Sequence, residues 1–316
     1  MTDRLHTLWQ YLRFRRRARG ARWLHSPFVF ELYRKVLRPE RLTPSPSPGG
    51  EGDERLTPDP SPGGEGDERL TPDPSPGGEG DERLTPSPSP SGEGENGRYV
   101  FPEAEQLRRE LLRDKRRISV RDLGAGSRAM PTTERQIAAM ARHALASRKE
   151  AERLYRLAQW TGAQNLLELG TSLGLTTAYL ARARPQAVVH TLEGCPNTLD
   201  YARQHFERLG CSNIKTHSGD IAERLPEVLV GLPRIDFLLM DANHRYRPTL
   251  AYFTLCLPKL HADSVVVVDD IYWSKEMTAA WNALKARPEV STSVDIFTMG
   301  LLFFHHRHPK QDFVLR

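Results

Sequence analysis

The chain has 316 residues and a net charge of +5, and its 38% hydrophobic content is low enough that part of it must lie outside any packed core. No apolar run approaches the ~18 residues of a spanning helix, and the basic N-terminus has neither an apolar leader core nor a small-residue cleavage site. Cys195, Cys211 and Cys256 are too few and too scattered for a disulfide framework or a Cys-based zinc site, so a reducing, cytoplasmic location is expected.

Residues 1–40 carry a net charge of +7. Trp9, Leu12, Trp23, Leu24, Phe28, Phe30 and Tyr33 are set among Arg13, Arg15, Arg16, Arg17, Arg19 and Arg22. Such a segment can lie on RNA or on an anionic membrane surface. It can also pack an aromatic face on the rest of the chain and leave its arginines in water. The second arrangement is the expectation, because His25–Phe30 is too apolar to sit in solvent.

Residues 41–97 are a different kind of chain. A 14-residue unit beginning Arg-Leu-Thr-Pro starts at Arg41, Arg55, Arg69 and Arg83, and residues 41–96 carry a charge of −9. The large apolar residues of the repeats are Leu42, Leu56, Leu70 and Leu84, one per unit. One Leu per unit cannot offset the entropy of ordering the backbone, so the block is expected to be disordered. Residues 98–160 read as a helical cap. Thr133 to Gln136 and Ser147 to Glu150 have the spacing of capping boxes.

From residue 165 the pattern alternates. Strands are predicted at 165–169, 187–192, 214–217, 235–240 and 264–268. Helices are predicted at 176–182, 198–209, 249–257 and 275–286, and two closing strands at about 290–296 and 300–305. Alternation of this kind predicts an α/β fold with a Rossmann-like, doubly wound, mostly parallel sheet of seven strands. The short final connection makes one strand antiparallel.

Glu168-Leu169-Gly170-Thr171-Ser172-Leu173-Gly174 follows a strand and opens a helix, the turn where such sheets bind ligands. Three chemistries compete for it. A nicotinamide dinucleotide site needs G-x-G-x-x-G, and Ser172 occupies the second glycine position. A nucleophile elbow fits G-x-S-x-G and could be completed as Ser172, Asp269 and His305, but the upstream oxyanion loop is missing. The third is an S-adenosylmethionine (SAM) site. Glu193 closes the next strand, where a carboxylate can accept both ribose hydroxyls. Gly219-Asp220 ends the following strand, where Asp220 can face the adenine amino group, and Asp241 ends the fourth. Each of these alone could be a simple turn former. A second glycine turn, Asp122–Arg128, lacks an acidic strand end at the required distance. It is read either as a connection or as a lid beside the active site.

Leu167–Thr177 is similar to motif I of the class I SAM-dependent methyltransferases. Asp236–Tyr246 and Val265–Trp273 resemble the catechol and caffeoyl-CoA O-methyltransferase branch, over roughly residues 150–305. The His25–Phe30 and Asp122–Arg128 segments resemble bacterial members with a helical N-terminal extension. The resemblance implies cofactor contacts from Glu168, Gly170, Thr171, Ser172, Gly174, Thr176, Glu193, Gly219, Asp220 and Asp241. It also implies a divalent cation, Mg²⁺ or Mn²⁺, held by Asp241, Asp269 and Asp270, the last standing where the branch has Asn. Asp241 would share in catalysis. His244 falls near the position of the branch's general-base Lys, in a segment one residue shorter, and an imidazole is a competent base at neutral pH. It could instead orient the Asp241 turn. Tyr272 and Trp273 could wall an aromatic pocket or belong to the core, and His305, His306 and His308 read as surface residues. The function expected is O-methylation of a small hydroxylated molecule. RNA or protein methylation, a non-catalytic SAM-binding regulator and a serine hydrolase are the alternatives, and a homodimer is compatible with all of them.

Overall fold

In the computed structural model, residues 3–20, 23–38, 93–94, 98–99, 101–121, 133–305 and 309–316 are described. The expectation of disorder for the repeats, except at Glu93–Gly94, lies outside these residues. So do the readings of the Asp122–Arg128 turn and of His306 and His308. Among the described residues no helix is long and apolar enough to cross a membrane.

The N-terminal part comprises α1 (Asp3–Arg17) and α2 (Pro27–Leu32), the latter continued by a π-helical turn over Tyr33–Leu37. Next come the short antiparallel pair β1 (Glu93–Gly94) and β2 (Arg98–Tyr99), then α3 (Pro102–Leu111). The pair β3 (Arg117–Ser119) and β4 (Glu134–Gln136) is also antiparallel, and α4 (Ile137–Ala144) and α5 (Arg148–Trp160) follow. Two expectations for this region are corrected. The hairpin stands where only helices were expected, and Thr133 starts no capping box: strand β4 intervenes, and α4 opens at Gln136 without a side-chain cap. The Ser147 capping box is present, with Glu150 N–H donating to Ser147 Oγ and Ser147 N–H to Glu150.

The main sheet is built from β5 (Asn165–Leu169), α6 (Leu175–Ala183), β6 (Val188–Glu193), α7 (Pro196–Arg208), β7 (Ile214–Ser218), α8 (Ile221–Val230), β8 (Phe237–Met240) and α9 (Tyr246–Cys256). It is completed by β9 (Val265–Asp269), α10 (Lys275–Ala286), β10 (Thr292–Asp295), β11 (Met299–Phe303) and β12 (Gln311–Val314). The strand order is β12-β10-β11-β9-β8-β5-β6-β7. Only β11 runs antiparallel to its neighbours, as expected for the closing pair. The sheet has eight strands rather than seven, because β12 adds in parallel to the outer edge of β10.

Strand side chains alternate between two buried layers, which is why β5, β8 and β9 read as unbroken apolar runs. Leu166, Phe237, Val265 and Val267 pack with Leu154 of α5, Leu180 of α6 and Leu199 of α7. Leu167, Leu238, Val266 and Val268 face the other way, onto Leu225 of α8, Phe253 of α9 and Trp281 of α10. Helix α8 was not anticipated, since Pro226 interrupts its pattern. Asp220 caps it by accepting from Ala222 N–H at 2.8 Å, and Ile221, Leu225, Val228 and Leu229 supply a buried face.

Residues 1–40 meet the packing expectation only in part. Tyr11 and Phe14 lie against Phe297 at 5.0 and 5.3 Å, and Phe28 packs on Trp160 and Phe303. Trp9 and Trp23 remain exposed.

Candidate active site

The strand order reverses between β5 and β8, the place where open sheets of this kind form a crevice at the carboxyl ends of their strands. The two turns there touch: a Cβ on Gly170 (φ +105°) would sit 2.1 Å from the Asp241 carbonyl oxygen. Glycine is therefore required by both conformation and space. Gly174 (φ +80°) begins α6 and rests on the ring of Phe206. No side chain caps α6, so amides of its first turn face the crevice with no intrahelical partner. Thr176 lies in that turn, half-buried.

Glu193, at the end of β6, meets this loop. One carboxylate oxygen accepts from Ser172 N–H at 2.8 Å and the other from Cys195 N–H at 3.0 Å. Ser172 itself has φ +49°. Gly219 and Asp220 follow β7, and Asp220 spends one oxygen on the α8 cap. The strand-end groups of motif I, Glu193, Gly219-Asp220 and Asp241 thus line one edge of the sheet.

Glu168 does not line the crevice. It is 1% exposed and lies behind the loop, where Thr177 and Thr191 hydroxyls donate to it at 2.5 and 2.6 Å. Burial pushes its carboxyl up to about 8, against the two threonine bonds and aided by Asp241 and Glu193. Thr171 is likewise buried, sharing a 2.6 Å hydrogen bond with Thr191. Sequence reasoning missed three residues that brace the loop. Two are Thr177 and Thr191. The third is His205 of α7, whose Nδ1 lies 2.9 Å from Leu173 O. Nothing in their local sequence marks them, because each acts across elements.

Beyond β8 and β9 the site is acidic. Asp269 sits well above the ordinary carboxylate range, through burial first and then through Asp241 and Asp270, and its side chain hydrogen-bonds Asp241. Asp270 is raised by burial, with His244 opposing. Asn243 (φ +66°) and His244 (φ +43°) are consecutive left-handed residues in the turn after β8. Their backbone brings His244 Nε2 to 3.4 Å from Asp241 Oδ1 and its ring to 5.8 Å from that of Trp273. Burial disfavours the imidazolium, but the Asp241 hydrogen bond and the Asp241 and Asp270 charges outweigh it, so the His244 pKa is raised. Its Nδ1 is buried and has no hydrogen-bond partner among the described residues.

This arrangement does not show the cation expected on Asp241, Asp269 and Asp270. Among the described residues no group of three or more His, Cys, Asp or Glu side chains has metal-holding geometry. The hydrolase triad is not assembled either. Phe303 pairs with Val265 and Met299 with Asp269, so antiparallel β11 carries His305 to the opposite edge of the sheet from Ser172 and Asp269. His305 is also no surface residue, since it packs against Phe28 at 4.6 Å and stacks on Phe303.

The hairpin adds one wall. Arg121 N–H reaches Cys195 Sγ at 3.3 Å, and Asn197 donates to Ser119 O at 2.9 Å, so the chain entering the Asp122–Arg128 segment abuts the Glu193 turn. Tyr272 has its hydroxyl bonded to Asp295, at the end of β10.

Residues 167–271 match the family described as methyltransferase domain. The chain is similar to the catechol O-methyltransferase of Niastella koreensis, with 31% identity over 121 residues, 37% of this chain and 54% of that protein. It is similar to the catechol O-methyltransferase of Mycobacterium tuberculosis, with 32% identity over 127 residues, 40% of this chain and 56% of the relative. The chain therefore spans about half the length of these curated relatives. Among solved structures it is similar to the O-methyltransferase from Bacillus cereus in complex with SAH, at 22% identity and a TM-score of 0.45, covering 51% of this chain and 82% of that one.

Proposed function

We propose, from the premise that residues 167–271 form a methyltransferase domain of the class I type, that the chain binds SAM and methylates a hydroxyl of a small molecule. The observation that carries this reading is the Glu193 carboxylate, held by the Ser172 amide across the glycine loop at the switch point of the sheet. Glu193 would accept the ribose hydroxyls, and the uncapped amides of α6 suit a carboxylate. Gly170, Thr171, Ser172 and Gly174 would form the cradle, with Thr176 at its helical end. Asp220 would reach the adenine with the oxygen not used in capping, and the Asp241 turn would close the far side. Glu168 would position the loop from behind. When bound, SAM supplies an electrophilic methyl group on a sulfonium.

The acceptor would lie beyond Asp241. The names of the catechol O-methyltransferase relatives support a small hydroxylated acceptor. Asp241 would hold the Nε2 proton of His244 and leave Nδ1 with its lone pair, able to take the proton of the acceptor hydroxyl. No step is assigned to a divalent cation. Cys195, Cys211 and Cys256 are all free thiols, which supports work in a reducing cytoplasm.

The test is calorimetric titration of S-adenosylhomocysteine into wild type, Glu193→Ala and His244→Ala. Wild type should bind, and Glu193→Ala should lose on the order of a hundredfold in affinity, the loss of a doubly bonded charged acceptor. His244→Ala should bind like wild type while failing to transfer methyl groups to a panel of catechols. A folded wild type that binds no S-adenosylhomocysteine overturns the reading.

A further inference from the structure

Helix α1 is apolar on two sides. His6, Gln10 and Phe14, four residues apart, face the domain, and His6 Nε2 lies 2.9 Å from Thr278 Oγ1. On the opposite side Leu5, Leu8, Trp9 and Leu12 form a second stripe at helical spacing, 55, 55, 47 and 52% exposed. A monomeric protein rarely leaves a continuous aliphatic stripe in water without a use for it.

The surroundings of the stripe identify what covers it. Arg13, Arg15 and Arg16 border it and make no ion pair among the described residues, and Arg15, Arg16 and Arg17 fill the last turn. Past that turn, a cleft beside β12 is lined by Arg16, Arg17, Arg19 and Trp23, with Asp312, whose carboxylate accepts from the Ser293 hydroxyl, as its one acidic residue among three arginines, and Trp23 is 64% exposed. Arg13 lies over the Trp9 ring at 4.5 Å and Arg19 over the Trp23 ring at 5.5 Å. Aliphatic residues flanked by indoles and guanidiniums match a lipid–water interface, where tails take the leucines, headgroups the indoles and phosphates the arginines. A second copy of the helix would bring arginines against arginines. A nucleic acid would meet the arginines but leave three leucines unpartnered.

We infer that the outer face of α1 and the arginine cleft beside it dock the protein on an anionic bilayer surface. The helix lies in the plane of that surface and does not span it. This inference is independent of the cofactor reading.

The test is sedimentation of the full chain with phosphatidylcholine vesicles, with and without phosphatidylglycerol. Binding should require the anionic lipid and weaken with salt. Leu8→Asp/Leu12→Asp, at exposed positions and folded by circular dichroism, should bind at least about tenfold more weakly. Arg13→Gln/Arg16→Gln should weaken binding by about fivefold per arginine. Three outcomes overturn the inference: equal binding to pure phosphatidylcholine, wild-type affinity in Leu8→Asp/Leu12→Asp, or no vesicle binding. In the last case, a dimer dispersed by the leucine variant would assign the face to a second copy, and salt-sensitive RNA binding would assign it to RNA.

Discussion

Glu168 is a carboxyl that the fold keeps protonated. The unfolded chain releases its proton near the ordinary Glu value of 4.5, whereas the folded protein holds it to about 8. Between those values the native state binds the extra proton, so this group's contribution is complete below 4.5 and is lost as pH rises toward 8. Wild type should therefore lose up to about 1.4 kcal/mol of stability per pH unit across that window relative to Glu168→Gln, whose side chain cannot ionise. Urea midpoints at pH 5.5 and 7.5 check this; parallel pH dependence in the two proteins would mean that Glu168 is ionised throughout. The residue also marks a boundary of sequence reasoning. Glu193 was legible because one strand-helix-strand unit fixes its distance from Gly174. The true place of Glu168 was not, because Thr177 and Thr191, which decide it, come from α6 and β6.

Among the elements, legibility followed hydrophobic period. The valine run of β9 and the Ser274-capped α10 declare themselves, whereas α8 is hidden by Pro226 and the β3–β4 hairpin by strands of three residues each. Strand β12 was missed for a related reason, since Gln311–Val314 is only four residues long and places two polar residues before two apolar ones, with no period-two pattern. Its role is nonetheless structural. Leu315 is 1% exposed, its amide donates to Asp295 O at 2.9 Å, and Arg19 N–H donates to Val314 O at 2.8 Å. Leu315→Ala should cost about 2–4 kcal/mol through the cavity it leaves. At about 2–4 °C per kcal/mol, calorimetry should find Tm lower by roughly 5–15 °C. A shift near zero would mean that the edge strand contributes nothing.

For the molecule as a whole, the composition separates what folds from what interrupts. The sheet, its flanking helices and the crevice are all built from residues outside 41–92. Deleting residues 43–96 should therefore leave Tm within a few degrees and S-adenosylhomocysteine affinity unchanged. A large fall in either, measured by calorimetry, would give the repeats a structural role. Arg121 shows the converse limit, since its contact with Cys195 joins distant parts of the chain and no local pattern announces it.

The docking of α1 on the C-terminal part of the chain sets an order of events during synthesis. Partners of the first helix include Tyr272, Thr278 and Phe297, and those of the segment after it include Val314 and Leu315. All are translated more than about 260 residues later, at about 5–20 residues per second. For something like half a minute, α1 trails from the ribosome with both apolar sides bare and its arginines uncovered. Whatever engages the outer stripe can therefore do so before the inner one is seated, and the newborn chain can reach its surface before it has finished folding.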